Sequence, residues 1–316
     1  MKRRHFLAAA LAATGLGAAS RRTGAAPTGG AAQPWLIERW SWAMGQPVHL
    51  RLFHDCESDG FEAAQMAFQE LWRVESRLSR FNDASDLSEL NRHAGKGPMH
   101  VAPDLLMVLR AAALCRSGTG GAFDVAVEPL MRTWGFREPR KAWPGQRELL
   151  EAREAVRQAV IRIDADRVEL PVSTTRVDLG GIGVGYGLDC AAQVLRDRGA
   201  RAALLEVSGD FIAVGAPPGM AGWPIDIVDP RGHGRVAAST EIRDQALATS
   251  ANTRSVVRLG RVVCGHVMDP ILGEPADRVI QTTVVAGTAL GADALSTAML
   301  VAGKALPGVQ RSWVFA

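Results

Sequence analysis

One stretch, Val177 to Asp189, constrains this chain more than any other. It reads Val-Asp-Leu-Gly-Gly-Ile-Gly-Val-Gly-Tyr-Gly-Leu-Asp. Asp178 closes an apolar run, and Gly180, Gly181, Gly183, Gly185 and Gly187 follow it. A helical pattern then opens, with Cys190, Ala191, Val194 and Leu195 before a stop at Gly199. Glycines at such a junction let the backbone approach a ligand, and free N–H groups at a helix start favour a phosphate. The spacing excludes the familiar dinucleotide loop, which needs G-x-G-x-x-G. Counted from Gly181, the third glycine falls on Tyr186; counted from Gly183, it falls on Leu188. No Gly-Lys-Ser/Thr follows, so a Walker A loop is excluded as well. Alone, the stretch is either a ligand loop or a tight turn without a ligand, and other residues must decide.

The chain around it has 316 residues, 47% hydrophobic and 22% charged, enough for a large core in one or two domains. Its start reads as a leader. Lys2-Arg3-Arg4-His5-Phe6-Leu7 precedes an apolar run to about Ala19, a pattern similar to a twin-arginine export signal and too short to span a bilayer. Residues 1–32 are thus expected to be signal peptide and linker, with 33–316 as the folded domain. No cysteine precedes Cys56, so no lipoprotein attachment site is expected. The protein is expected in the periplasm, with no stable membrane insertion once the signal is cleaved. The leader carries Lys2, Arg3, Arg4, Arg21 and Arg22 and no acid, so its removal takes the formal charge from +3 to −2. That balance argues against a nucleic-acid partner. Cys56, Cys115, Cys190 and Cys264 lack metal-site spacing, and their pairing cannot be read from sequence.

Periodicity predicts strands over 48–53, 202–207, 223–228 and 281–286, and hairpins over 160–170 and 256–263. Helices are predicted over 62–78, 101–117, 144–158 and 291–302, with a short helical turn at 88–91. Residues 20–34 read as a flexible linker, and Ala248-Thr-Ser-Ala as a small-residue turn. The irregular alternation, with hairpins, points to an α+β fold of mixed sheets with packed helices rather than a barrel.

In the last helix Asp293 and Thr297 stand four residues apart, on one face. A carboxylate and a hydroxyl there suit a hard cation such as Mg²⁺. The alternative is an acid favouring the helix dipole and a core threonine bonding its own backbone. His266, three before Asp269-Pro270, is either a general base or phosphate contact, or a structural histidine. Asp124, ending Thr119-Gly-Gly-Ala-Phe-Asp, and Asp178 either accept from a ligand's N–H groups or cap turns.

Taken in order, these pieces resemble the ApbE family of FAD:protein FMN transferases. The carriers are Leu78-Ser-Arg-Phe81, Thr119 to Asp124, Trp134-Gly-Phe, Asp178 to Asp189, Ser208-Gly-Asp210, Ala248-Thr-Ser, His266-Val-Met-Asp-Pro and Ala292-Asp-Ala-Leu-Ser-Thr-Ala298. The resemblance implies an ApbE-like, T-fold-related architecture. It implies that an acceptor-protein Thr or Ser hydroxyl attacks the FMN-side phosphorus of FAD, with Mg²⁺ against the pyrophosphate and AMP leaving. By motif position it implies Gly181, Asp293 and Thr297 as metal ligands and His266 as the base. Met44, Phe81, Ala122, Phe123, Asp124, Asp178, Val184 and Val267 would line the FAD site. Phe81 stands where the family usually has tyrosine, and Val184 where it has lysine or glutamate. The exported, non-lipidated form is similar to NosX-type members, which serve extracytoplasmic electron-transfer proteins. A non-catalytic flavin carrier and an Mg-dependent FAD pyrophosphatase are the competing readings.

Overall fold

The computed structural model describes residues 19–22 and 33–316, apart from 139, 141, 233, 254, 260 and 261. The expected export signal, and the expected linker apart from Ser20–Arg22 and residues 33–34, therefore lie outside the described residues.

Eight antiparallel strands form the main sheet: β1 (Ala19–Arg22), β2 (Trp35–Ala43), β3 (Gln46–His54), β4 (Ala202–Val207), β5 (Asp210–Val214), β6 (Ala246–Ala251), β7 (Gln281–Ala286) and β8 (Arg311–Phe315). Their order across the sheet is their order along the chain. Everything else is inserted between neighbours. The sequence reading missed β2, β5 and β8. It also placed Ser20–Arg22 in the linker, whereas these residues sit in β1 and pair with Trp35–Ile37. β2 breaks the two-residue alternation with the apolar run Trp35-Leu36-Ile37 and the polar pair Glu38-Arg39, so its period is hard to see.

The helices are α1 (Glu57–Leu78), α2 (Asp86–His93), α3 (Pro103–Gly118), α4 (Glu128–Thr133), α5 (Gln146–Arg157), α6 (Gly183–Asp197) and α7 (Ala289–Ala302). One face of the sheet packs on α1, α6 and α7. Val48, Leu50 and Leu52 alternate towards that face and meet Ala64, Phe68, Leu71, Leu188, Ala191 and Ala292 in one cluster. Each fully buried Leu or Phe contributes about 1.5–3 kcal/mol, so this layer is a large source of stability. The opposite face is covered by the hairpin of Trp223–Val228 and Val236–Ile242, whose Trp223 and Ile225 pack on Phe53, Leu204 and Leu247. α7 is apolar around most of its circumference because it is buried between two clusters, with Asp293, Ser296 and Thr297 as the exceptions.

Two readings are corrected here. Only part of the glycine-rich stretch is a loop preceding a helix: Gly180 and Gly181 lie in the turn, but α6 begins at Gly183, so Gly183, Gly185 and Gly187 lie inside it. A Cβ on Gly185 would sit 2.2 Å from the Ala289 carbonyl oxygen, and one on Gly187 would sit 2.3 Å from Met44 Cε. The glycines are there because α6 lies against α7 and against Met44, and helix propensity is sacrificed for that approach. Likewise Ala248–Ala251 is the end of strand β6, not a turn. Its small side chains admit α7, and Thr249 Oγ1 meets Thr283 Oγ1 across the ladder at 3.0 Å.

Candidate active site

α6 and α7 hold each other's first turns. Asp189 of α6 accepts from the Ala289 and Leu290 N–H groups at 2.8 and 2.9 Å, and Thr288 accepts from Gly291 N–H at 3.1 Å. In return, Asp293 of α7 accepts from Gly185 N–H at 3.1 Å. This reciprocal capping fixes one wall of a cleft of about 480 Å³. The other walls are the loop at 119–127, the turn between β4 and β5, the hairpin strand Trp223–Val228 and the loop after Gly265.

Ala122, Phe123, Asp124, Asp178, Gly181, Val184, His266, Val267, Asp293 and Thr297 all line this cleft. Met44 and Phe81 do not. Met44 occupies a left-handed turn position (φ 57°) beside Gly45 (φ 69°), the geometry of a two-residue hairpin loop. Its N–H donates to Glu75 at 2.9 Å, and its side chain runs to Gly187. Phe81 is 83% exposed, with the Arg80 guanidinium 4.0 Å over its ring. Arg80 in turn lies 3.4 Å from Asp178, so Phe81 is tied to the cleft edge through that arginine.

At the deep end, Asp293 is 6% exposed. Burial pushes its carboxyl well above the usual carboxylate range, and the nearby Asp210 pushes the same way, against the Gly185 hydrogen bond. Asp210 follows the turn Ser208-Gly209, which has positive φ at both residues (53° and 99°), and Thr249 N–H donates to it at 3.0 Å. The sequence reading quoted Ser208-Gly-Asp210 as a motif but gave Asp210 no role; a strand that begins with an acid after a tight turn was the available signal. Ser250 was missed in the same way, and its Oγ lies 3.1 Å from Thr297 Oγ1 and 2.7 Å from Ser296 Oγ. A Cβ on Gly181 would come within 2.9 Å of Thr297 Oγ1, so that approach requires glycine.

These residues fit a hard divalent cation. Two carboxylates in a buried corner repel unless a positive charge joins them, and oxygen donors are what Mg²⁺ takes. No group of three His, Cys, Asp or Glu converges among the described residues.

At the other end, His266 sits in a loop with its Nδ1 buried and without a hydrogen-bond partner among the described residues. Burial lowers its pKa; Asp178 and a backbone hydrogen bond with Ser255 oppose this, and Arg137 reinforces it. Asp269 follows the histidine by three residues. It is 4% exposed and builds the turn after the histidine, accepting from Ile271 and Leu272 N–H at 2.8 and 2.9 Å. Asp124 accepts from Arg116 Nε at 2.7 Å and from Ala126 N–H at 2.8 Å. All four cysteines are free.

The cleft thus joins a cation corner, a glycine-rich helix start and a half-buried histidine. A family model of the ApbE family matches residues 44–310. The chain belongs to the ApbE family. It is 31% identical over 238 residues to an FAD:protein FMN transferase of Vibrio cholerae, spanning 74% of this chain and 71% of that one. An FAD:protein FMN transferase of Treponema pallidum is 28% identical over 318 residues, spanning 92% and 88%. The crystal structure of an ApbE protein from Thermotoga maritima superposes with a TM-score of 0.77 at 28% identity, over 85% of this chain and 88% of that one. The flavin transferase ApbE from Vibrio cholerae gives 0.75 at 27%, over 85% and 87%. The α+β architecture expected from sequence is the one these ApbE proteins share.

Proposed function

We propose that this protein is an Mg-dependent FAD:protein FMN transferase acting on extracytoplasmic electron-transfer proteins. The observation that carries this reading is the cleft itself, where the Asp293–Thr297–Gly181 corner and His266 line one continuous volume. FAD would lie along it, with its pyrophosphate towards Asp293 and its ring towards Phe123, Asp178 and Val267. Gly181, Asp293 and Thr297 would hold the cation, with Asp210 adding negative charge nearby. When bound, the cation neutralises charge on the phosphoryl oxygens.

The acceptor's Thr or Ser oxygen forms a bond to the FMN-side phosphorus, the pyrophosphate P–O bond breaks, and AMP leaves. His266 takes the hydroxyl proton. Its lowered pKa keeps it neutral and ready to accept at neutral pH. Positioning and charge stabilisation do most of the rest, as in phosphoryl transfer generally. Val184 places an apolar side chain at the cleft wall, so that wall contributes packing rather than a polar contact. No helix among the described residues is long and apolar enough to cross a membrane. A periplasmic location by the twin-arginine route belongs to this proposal and rests on the leader's sequence.

The test is product analysis with FAD, Mg²⁺ and an acceptor domain. FMN on the acceptor with AMP in solution supports transfer. Free FMN and AMP with an unmodified acceptor means hydrolysis instead, and intact bound FAD means a carrier.

A further inference from the structure

Beside the cleft runs a chain of alternating charges that the reading above leaves unused. Asp178 lines the cleft, and its backbone N–H donates to Val125 at 2.8 Å. Its Oδ1 accepts from Gly180 N–H at 2.7 Å. Its Oδ2 accepts from Arg137 Nη2 and lies 3.4 Å from Arg80 Nε. Behind Arg137 stands Glu128, 3.7 Å from the Arg137 Nε, and Arg132 donates to Glu128 at 3.1 Å.

Arg137 is brought there by a local reversal. α4 ends at Thr133, Gly135 takes a left-handed φ of 84°, and Phe136 N–H returns to the Met131 carbonyl at 2.9 Å. The Arg137 side chain is 10% exposed, and its Nε is buried without a hydrogen-bond partner among the described residues. A buried ion pair with an unsatisfied donor is a poor way to gain stability, since apolar packing does as well or better. What it does supply is a fixed carboxylate: a guanidinium fork sets the orientation of its partner as well as its charge.

We infer that Arg137, backed by Arg80, is a positioning residue for FAD. It holds the Asp178 carboxylate at the cleft wall in the orientation that accepts the ring imide N–H of the flavin. This rests on the reading that the cleft takes FAD. Arg137 does not line the cleft, so it acts on FAD through Asp178 and not by touching the flavin. The cation end, at Asp293 and Thr297, is outside this chain of charges; Arg137 and Asp178 act on the His266 pKa in opposite directions, so kcat is compared at about pH 8, where the imidazole is neutral. Loss of the clamp therefore weakens FAD binding while leaving the chemical step largely intact.

The experiment compares the wild-type protein with Arg137→Gln, Arg137→Lys and the double variant Arg137→Gln/Glu128→Gln. FAD affinity is measured by flavin fluorescence, and KM for FAD and kcat by AMP release. Arg137→Gln is expected to weaken FAD binding by about tenfold or more, the worth of a hydrogen bond to a charged group. Its kcat at saturating FAD stays within about threefold, because the lost contact acts on binding. Arg137→Lys recovers part of the affinity, because it restores charge without the fork. Arg137→Gln leaves Glu128 only its exposed partner Arg132, so the double variant removes that charge as well, with the fold of both checked by Tm. The double variant too is expected to bind FAD about tenfold more weakly. Wild-type affinity in the double variant, or a fall in kcat with KM unchanged, overturns the inference. Failure of the wild-type protein to bind FAD overturns both it and the functional reading beneath it.

Discussion

Replacing Gly185 by alanine tests the contact between α6 and α7 on which the cleft is built. The added Cβ would meet the Ala289 carbonyl oxygen at 2.2 Å, the Ala289 carbonyl carbon at 2.5 Å and Leu290 Cα at 2.7 Å. All three are backbone atoms, so no side chain can rotate away. Reaching ordinary contact requires the start of α7 to retreat by about 1 Å. Overpacking of this kind costs about 1–3 kcal/mol, against a helix-propensity gain of about 1 kcal/mol for alanine over glycine. The net loss is up to about 2 kcal/mol, or a fall in Tm of up to roughly 3 °C for a chain of this size. The larger effect falls on the site, because Asp293 stands one turn beyond Ala289 and takes its hydrogen bond from Gly185 itself. A displacement of about 1 Å at a reacting centre costs on the order of 100-fold in rate. Gly287→Ala is the control: a Cβ there meets nothing within 4 Å, and both Tm and activity are expected to hold. Differential scanning calorimetry and AMP release read the two effects. A Gly185→Ala protein with unchanged Tm and wild-type activity would refute the reasoning.

Further outcomes follow from the same geometry. Asp293→Ala is expected to abolish metal-dependent transfer, read as AMP release across an Mg²⁺ titration; full activity would remove the cation assignment. His266→Ala should slow transfer while FAD affinity stays within about twofold, and an unchanged rate would remove it as the base. Because burial lowers the His266 pKa from 6.5, the base is neutral above that value. Transfer should therefore be flat above neutrality and decline only as pH falls below about 6.5, which a pH–rate profile would show. Asp189→Ala orphans two N–H groups at the start of α7 and should cost about 2–4 kcal/mol in a denaturant titration. Burial pushes the Cys115 and Cys190 thiols up to about 11, whereas Cys56 is exposed. Brief alkylation near pH 7.5 should label Cys56 first, as peptide mass mapping would reveal.

The helices were largely legible because their apolar faces repeat, as in α1 with Ala63, Ala67, Leu71, Val74 and Leu78. Asp293 and Thr297 were legible because four residues on a helix is a fixed geometry. Other features depend on partners distant in sequence. The glycines of α6 looked like a loop because the reason for them lies about a hundred residues away, at Ala289. Ala248–Ala251 looked like a turn because nothing local shows that α7 packs on it. Met44 was assigned to the flavin site, but the positive φ its hairpin imposes turns it towards Gly187. The Arg137–Asp178 pair joins residues 41 apart, through a reversal at Gly135 that sequence spacing does not encode.

The most direct measurement of the central claim is intact-mass analysis of an acceptor domain incubated with this protein, FAD and Mg²⁺. The account predicts that the acceptor gains one FMN unit, that AMP appears in equal amount, and that changing the acceptor's target Thr or Ser to Ala prevents both. An acceptor of unchanged mass in the presence of bound or hydrolysed FAD would contradict it.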